Sequence, residues 1–266
     1  MTALTTLHLT KHHALGNDFL VLLDPDDKVD FGLEMARSLC DRHRGIGADG
    51  MIHARTGAAP ADITMTLRNA DGGLAEMSGN GIRSLAQAVV DAGKGPQLTI
   101  ATGGGLREVT VEDETEPGVR RVSVDMGRAT LGPDQPQECL GRRVRTVDMG
   151  NPHLVLLGPD PREVDVADLG PKMEELTPAG INVEFVMLGP GRDELTLRVW
   201  ERGVGETLAC GTGACAAAAA AHSWGLVGSI VTVHQPGGAA DIELRDNTVV
   251  LSGPTQLIAR IEVDWA

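Results

Sequence analysis

Aromatic residues are scarce in this 266-residue chain: three Phe, three Trp and no Tyr, 2% in all. Bases are commonly gripped by stacking on aromatic faces, so no stacking platform is expected. Positive charge is short too, with 23 Lys and Arg against 37 Asp and Glu, and a net charge of -14 repels a phosphate backbone. Nucleic acid is therefore excluded as a partner. Cys40, Cys139, Cys210 and Cys215 are too few and too unevenly spaced for a disulfide framework, and no Cys-x-x-Cys or His cluster suggests zinc. Reduced thiols and no metal are expected. No apolar run reaches the roughly 18 residues that cross a bilayer. No basic patch with an apolar core opens the chain, so neither a secretion signal nor a membrane role is expected, and cytoplasm is the default. A small molecule is the partner that remains.

What the chain does contain is itself, twice, at an offset of about 130 residues. Gly16-Asn17-Asp-Phe-Leu-Val-Leu-Leu23 matches Gly150-Asn151-Pro-His-Leu-Val-Leu-Leu157, an apolar strand entered through a Gly-Asn turn. Gly47-Ala-Asp-Gly50 then falls opposite Gly180-Ile-Asn-Val183, and Leu67-Arg-Asn-Ala-Asp-Gly-Gly73 lies over Val199-Trp-Glu-Arg-Gly-Val-Gly205. Ser78-Gly-Asn-Gly81 lands on Cys210-Gly-Thr-Gly213, each followed by an apolar helix, Ile82 to Ala92 and Ala214 to Trp224. The second is nearly all alanine, as a helix buried on every side must be. Glycines Gly93 and Gly225 stop them.

The pattern is α+β: two pseudo-symmetric domains, each a curled, mainly antiparallel sheet around a central helix. The first half runs from 1 to about 125, the second from 126 to 253, and 254–266, with its strand from Gln256 to Val263, is expected to return to the first. A substrate cleft is expected between them. Asp113 to Gly118 and Gly132 to Pro136 are expected to be polar surface connections.

Ser78 and Cys210 each precede a Gly-x-Gly that opens a buried helix, where unpaired N–H groups and the positive end of the dipole favour an anion such as a carboxylate. A thiol there is expected to be more acidic and a competent base. Two such groups on opposite sides of one carbon would invert its configuration. Taken singly, Ser78 is a good helix cap and Cys210 a small buried residue. The duplication and the neighbouring polar sets favour function. Those sets are Asn17, Asn69 and Asn80 in the first half and Asn151, His153, Asn182, Glu201, Arg202 and Thr212 in the second. Glu201 offers a carboxylate for an ammonium and Arg202 a planar fork for a carboxylate, which together describe an amino-acid binder. Gly103-Gly-Gly105 follows a strand, has no helix after it and lacks the Lys-Ser/Thr of a phosphate loop.

Gly16-Asn-Asp-Phe19, Arg44-Gly-Ile-Gly-Ala-Asp49, Asn69-Ala-Asp-Gly72, Ser78-Gly-Asn-Gly-Ile-Arg83, Gly150-Asn-Pro-His153, Asn182-Val-Glu-Phe185, Glu201-Arg-Gly203 and Ala209-Cys-Gly-Thr-Gly-Ala214 together resemble the diaminopimelate epimerase family over almost the whole chain. That resemblance implies interconversion of LL- and meso-diaminopimelate in lysine and cell-wall synthesis, without pyridoxal phosphate or metal. It implies Cys210 as one of two acid/base groups, with Gly79, Asn80, Gly211 and Thr212 binding the reacting carboxylate. Asn17, Asn69, Asn151, Asn182 and Arg202 would hold the substrate, and Glu201 and His153 would lie near the reacting centre. A homodimer is carried as an expectation. One position departs: the family pattern has cysteine where this chain has Ser78, and a hydroxyl is a poorer base. A natural Ser/Cys epimerase, an introduced substitution and a relative with altered chemistry all fit that departure. An epimerase or racemase for another amino acid, or a catalytically silent binder, are the alternative activities.

Overall fold

The computed structural model describes residues 5–139 and 142–265, the side chains of 134–139 excepted. The expectations for the first residues and for the Cys139 thiol fall outside what is described. The chain forms two compact units, Met1–Val124 with Pro254–Ala266, and Asp125–Gly253.

In chain order the first unit contains β1 (Thr5–Ala14), β2 (Asn17–Leu23), α1 (Leu33–Cys40), β3 (Gly50–Thr56), β4 (Ile63–Asn69), β5 (Leu74–Ala75), α2 (Gly79–Asp91), β6 (Gln97–Thr102), β7 (Gly105–Glu116) and β8 (Val119–Asp125). The second contains β9 (Thr130–Cys139), β10 (Arg142–Asp148), β11 (Pro152–Leu157), α3 (Val166–Glu174), β12 (Asn182–Leu188), β13 (Glu194–Glu201), β14 (Gly205–Thr207), α4 (Gly211–Ser223), β15 (Ile230–Gln235) and β16 (Gly238–Leu244). The long β17 (Val249–Trp265) begins in the second unit and ends in the first.

Antiparallel pairing dominates both sheets, with one parallel step on each side of the central hairpin: β2–β3 and β4–β6 in the first unit, β11–β12 and β13–β15 in the second. The first sheet is closed into a ring by β17, which pairs with β1 and whose Leu257 N–H donates to the Gly118 carbonyl at 2.9 Å. Inside that ring α2 is buried from Gly79 to Val89. In the second unit α4 is buried from Gly211 to Ala221. Outside each sheet lies a shorter helix. Met35, Ala36 and Leu39 of α1 pack on Leu7, Leu9, Leu20 and Leu22, and Leu169 and Met173 of α3 pack on Leu154, Leu156, Val183 and Phe185. Strands covered on both faces are largely apolar, as in the continuously buried Asp18–Leu22 and Gly50–Ala54, where Asp18 and His53 are the polar exceptions. The tight β1–β2 turn places Leu15 and Gly16 both at positive φ, 54° and 83°, the geometry a two-residue hairpin requires.

Several elements differ from the sequence expectation. Both central helices begin three residues earlier, at Gly79 and Gly211, because Ser78 and Cys210 are the capping residues. Helix α3 carries Gly170 and Pro171, both unfavourable in a helix interior. Gly170 is there because a Cβ would lie 2.4 Å from Trp200 Cγ. The segments read as connections are largely strand. β7 runs through Glu116, with Glu114 opposite Arg120 across the hairpin, and only Pro117 and Gly118 form the turn. β9 extends through Cys139, its prolines falling where the β9–β10 register shifts.

Helix α4 has no spare volume around it: Ala216, Ala217 and Ala218 are each 0% exposed. Ala217→Leu is expected to lower stability by about 1–3 kcal/mol or more through overpacking, measured as a lower urea midpoint.

Candidate active site

Cys210 caps α4 from an extended backbone (φ -122°, ψ 118°), and its Sγ accepts the Gly213 N–H at 3.4 Å. Its own N–H donates to Gln235 Oε1 at 2.8 Å, which fixes the helix start against β15. The Thr212 hydroxyl lies 3.5 Å from Sγ. Glu184, on the strand beneath, is wholly buried, and a Cβ on Gly213 would fall 2.8 Å from its Oε1. Only glycine lets the helix start approach that carboxylate. His153 Nδ1 and Glu184 Oε1 share a hydrogen bond at 2.6 Å, and both side chains are 0% exposed. On its other side His153 Nε2 meets Asn151 Oδ1 at 3.0 Å, and Asn151 Nδ2 reaches Thr212 Oγ1 at 3.5 Å.

Glu201, at the end of β13, accepts the Thr207 hydroxyl at 2.5 Å and is also hydrogen-bonded to the Cys210 thiol. Burial pushes the Glu201 carboxyl up, and the bonds from Thr207 and Cys210 offset part of that. Burial, then the charges of Glu201 and Glu184, push the Cys210 thiol well above its ordinary value, against smaller help from Thr212 and Gly213. The acidic thiol expected from the helix start is thus corrected. Two neighbouring carboxyl groups and loss of solvent outweigh the helix end.

Asn182 works as a brace: its Nδ2 donates to the Pro152 carbonyl at 2.9 Å and its Oδ1 accepts the Arg202 N–H at 3.0 Å. The exposed Arg202 guanidinium makes one long bond, 3.4 Å to the Ala179 carbonyl. The N–H groups of Gly211 and Thr212, in the first turn of α4, have no intrahelical acceptor.

In the first unit Ser78 caps α2 and its Oγ accepts the Gly81 N–H at 3.0 Å. Asn80 is buried, takes a bond from the fully buried Arg83 at 2.5 Å and donates to Asn17 Oδ1 at 3.2 Å. Asn17 Nδ2 in turn donates to Asp49 Oδ2 at 2.8 Å. Arg42 bridges Asp18 and Asp49, each at 2.7 Å, and Lys11 lies 2.9 Å from Asp18. Burial alone would raise the Asp18 carboxyl; the Arg42 and Lys11 cations bring it down to about 2. Arg83 Nε donates to the Gly79 carbonyl at 3.1 Å. Asn69, half-buried at the end of β4, has no side-chain partner among the described residues.

The strand registers give the equivalence between units and correct the match read from sequence by one residue, since Gly50 corresponds to Asn182 and not to Val183. Phe19 pairs with Gly50 as His153 pairs with Asn182, so Phe19 stands for His153, Ile52 for Glu184 and Asn69 for Glu201. Ile52 Cδ1 lies 3.5 Å from the place of a Cβ on Gly81, the position Glu184 takes under Gly213. The titratable set beside Cys210 thus has no counterpart at the equivalent positions Phe19, Ile52 and Asn69 of the first unit. Glu184, Thr207, Gln235, Arg83 and Asp49 were not singled out by sequence reasoning. The signal for Glu184 was a carboxylate inside the otherwise apolar run Val183–Val186. Asp24, Asp27 and His53 bring potential metal-ligand atoms within 4.8 Å of one another. Asp24 already accepts from Lys28, Val29 and His53, however, and Asp27 is paired with Arg55.

Gly213→Ala is expected to displace Glu184 and His153 and to cut turnover on the order of 10- to 100-fold. Gly81→Ala, which meets Ser78 and Ile52 instead, is expected to cost less; steady-state kinetics of the two variants measure the difference.

A sequence model of diaminopimelate epimerase matches residues 9–132 and 145–258. The diaminopimelate epimerase of Synechococcus elongatus is 41% identical over 94% of this chain and 95% of its own length. That of Leptospira biflexa is 36% identical over 97% and 99%. Among solved structures, a hydroxyproline epimerase from Agrobacterium vitis superposes with a TM-score of 0.71 at 15% identity, covering 99% of this chain and 93% of that one. A phenazine biosynthesis protein of the PhzF family from Bacillus anthracis gives 0.75 at 14% identity, covering 97% and 99%. The structures share the fold; the sequences place the chain, which belongs to the diaminopimelate epimerase family.

Proposed function

We propose that this protein interconverts LL- and meso-diaminopimelate by taking the proton from one α-carbon and returning a proton on the opposite face, with no cofactor. The observation that carries this reading is the Cys210 thiol, hydrogen-bonded to Glu201 at a buried helix start whose Gly211 and Thr212 N–H groups await an anion. The substrate's reacting carboxylate would sit on those N–H groups and on those of Gly79 and Asn80. Its ammonium would meet Glu201. Arg202, Asn17, Asn69, Asn151 and Asn182 would hold the rest of the molecule, and a closed site would exclude water during proton abstraction. The same reading makes the protein a cytoplasmic homodimer serving lysine and peptidoglycan precursor synthesis.

Inversion needs a second group, and Ser78 is the one at the equivalent helix start. Its Oγ accepts from Gly81 and donates to no acceptor among the described residues. A serine hydroxyl without a base is a slow proton carrier. Exchange by Cys210 is therefore expected to outrun inversion.

Incubating the protein with LL-diaminopimelate in heavy water, and following deuterium at the α-carbon together with meso product, tests this. Deuterium entry with slower meso formation is expected. Cys210→Ser should abolish both, and Ser78→Cys should raise the epimerisation rate by orders of magnitude. Tight binding without any deuterium entry would instead identify a silent amino-acid binder.

A further inference from the structure

Among the described residues of the second unit, Glu184 is the one buried carboxylate that the proposed reaction does not yet use. Packing does not explain it. The equivalent place in the first unit, against the glycine of the other helix start, is filled by Ile52, and that unit closes around its helix with an apolar side chain there. A buried carboxylate costs several kcal/mol of desolvation beyond what an isoleucine would. Glu184 is only partly compensated: Oε1 takes the His153 bond, while Oε2 is buried with no hydrogen-bond partner. A group kept under such terms calls for an explanation.

The explanation lies in the direction of the hydrogen bonds that leave it. Glu184 accepts from His153 Nδ1–H, and on the far side of the ring Asn151 presents its carbonyl oxygen, also an acceptor. With Glu184 as the carboxylate, both ring nitrogens face acceptors and both must donate, which is the imidazolium form. Asn151, its oxygen so engaged, turns its Nδ2 to Thr212 Oγ1. Thr212, receiving there, keeps its own proton for Cys210 Sγ, 3.5 Å away. The chain is thus polarised from Glu184 to the sulfur. If His153 were neutral with its proton on Nδ1, Nε2 would become an acceptor, Asn151 would turn its amide over, and Thr212 would donate to Asn151 instead of to Sγ.

We propose that Glu184 is a positioning residue for Cys210: by keeping His153 doubly protonated it fixes the direction of the His153–Asn151–Thr212 chain, which then delivers a hydrogen-bond donor to the sulfur whenever Cys210 carries the thiolate. This rests on the epimerase reading only in taking Cys210 as the acid/base group. The charged groups facing Cys210 are Glu201 from β13, Glu184 from β12 and His153 from β11, and the chain lets the last two act on the sulfur through contact as well as through charge. The first unit lacks the device. There the equivalent donors run from Arg83 through Asn80 and Asn17 to Asp49 and do not end on Ser78.

The test uses the full-length protein with 15N-labelled histidine, together with Glu184→Gln and Glu184→Ile, the second copying the residue of the sister unit. In the unsubstituted protein at neutral pH, both His153 ring nitrogens should show the imidazolium signature; in both variants they should show a neutral ring. With LL-diaminopimelate, kcat should fall about 10- to 100-fold, the range for loss of a functional histidine's outer partner, with KM changed less than about twofold. Thr212→Val should lower kcat while leaving the His153 signals unmoved. A neutral His153 in the unsubstituted protein overturns the proposal, as does a Glu184→Gln variant with unchanged kcat. Because the ring signals are read without turnover, they separate failure of this proposal from failure of the epimerase reading. They also decide the matter should either variant not fold.

Discussion

A helix with protein on every side has only its two ends available to anything else. Both α2 and α4 are in that condition, buried from their first glycine for eleven residues. Most of their side chains pack, so alanine and other small or apolar groups dominate them, with Asn80, Arg83 and Gln87 the hydrogen-bonded exceptions in α2. What remains is the opening turn, where backbone N–H groups cannot be satisfied by the helix itself. The capping residue must therefore be the place where chemistry concentrates, and in each unit the sheet strands converge their polar ends on it.

The two copies of this scaffold have been furnished differently. In the first unit the backbone positions equivalent to the Cys210 set carry Phe19, Ile52 and Asn69, and charged groups gather instead in the Lys11–Asp18–Arg42–Asp49 cluster that ties the β1–β2 turn to the loop before β3. Around Cys210 the same backbone positions carry His153, Glu184 and Glu201. The burial that makes both sites possible is what drives the Cys210 thiol and the Glu201 carboxyl toward their protonated forms. Burial disfavours charge on both the thiol and the carboxyl, the direction a dry site imposes.

The fold was legible because a duplication repeats its signals: the Gly-Asn turn, the glycine-bracketed helix start and the glycine stop each appear twice, and an error in one half would break the match. The outer helices were not, since α1 spans only eight residues and α3 carries Gly170 and Pro171. Proline-bearing stretches concealed strand for a similar reason: β9 accommodates Pro133 and Pro136 at shifts of register that no local pattern announces. At the site, capping residues and the Asn, His and Glu near them could be read from their offsets. Glu184 could not be given a partner, because its contact with His153 depends on the parallel pairing of β11 with β12. The state of the thiol was misjudged because burial, invisible in sequence, outweighs the helix end.

The path of β17 also bears on how the molecule comes into being. The second unit is one uninterrupted stretch of chain, whereas the first needs Pro254 onward to complete its ring. In folding, the second unit can complete itself from contiguous chain, whereas the first keeps an open sheet edge until β17 docks on it. That edge, along β1 and the hairpin ending in β8, is open to mispairing until β17 covers it. The stretch of β17 from Pro254 to Trp265 thus acts as the clasp that closes the first unit.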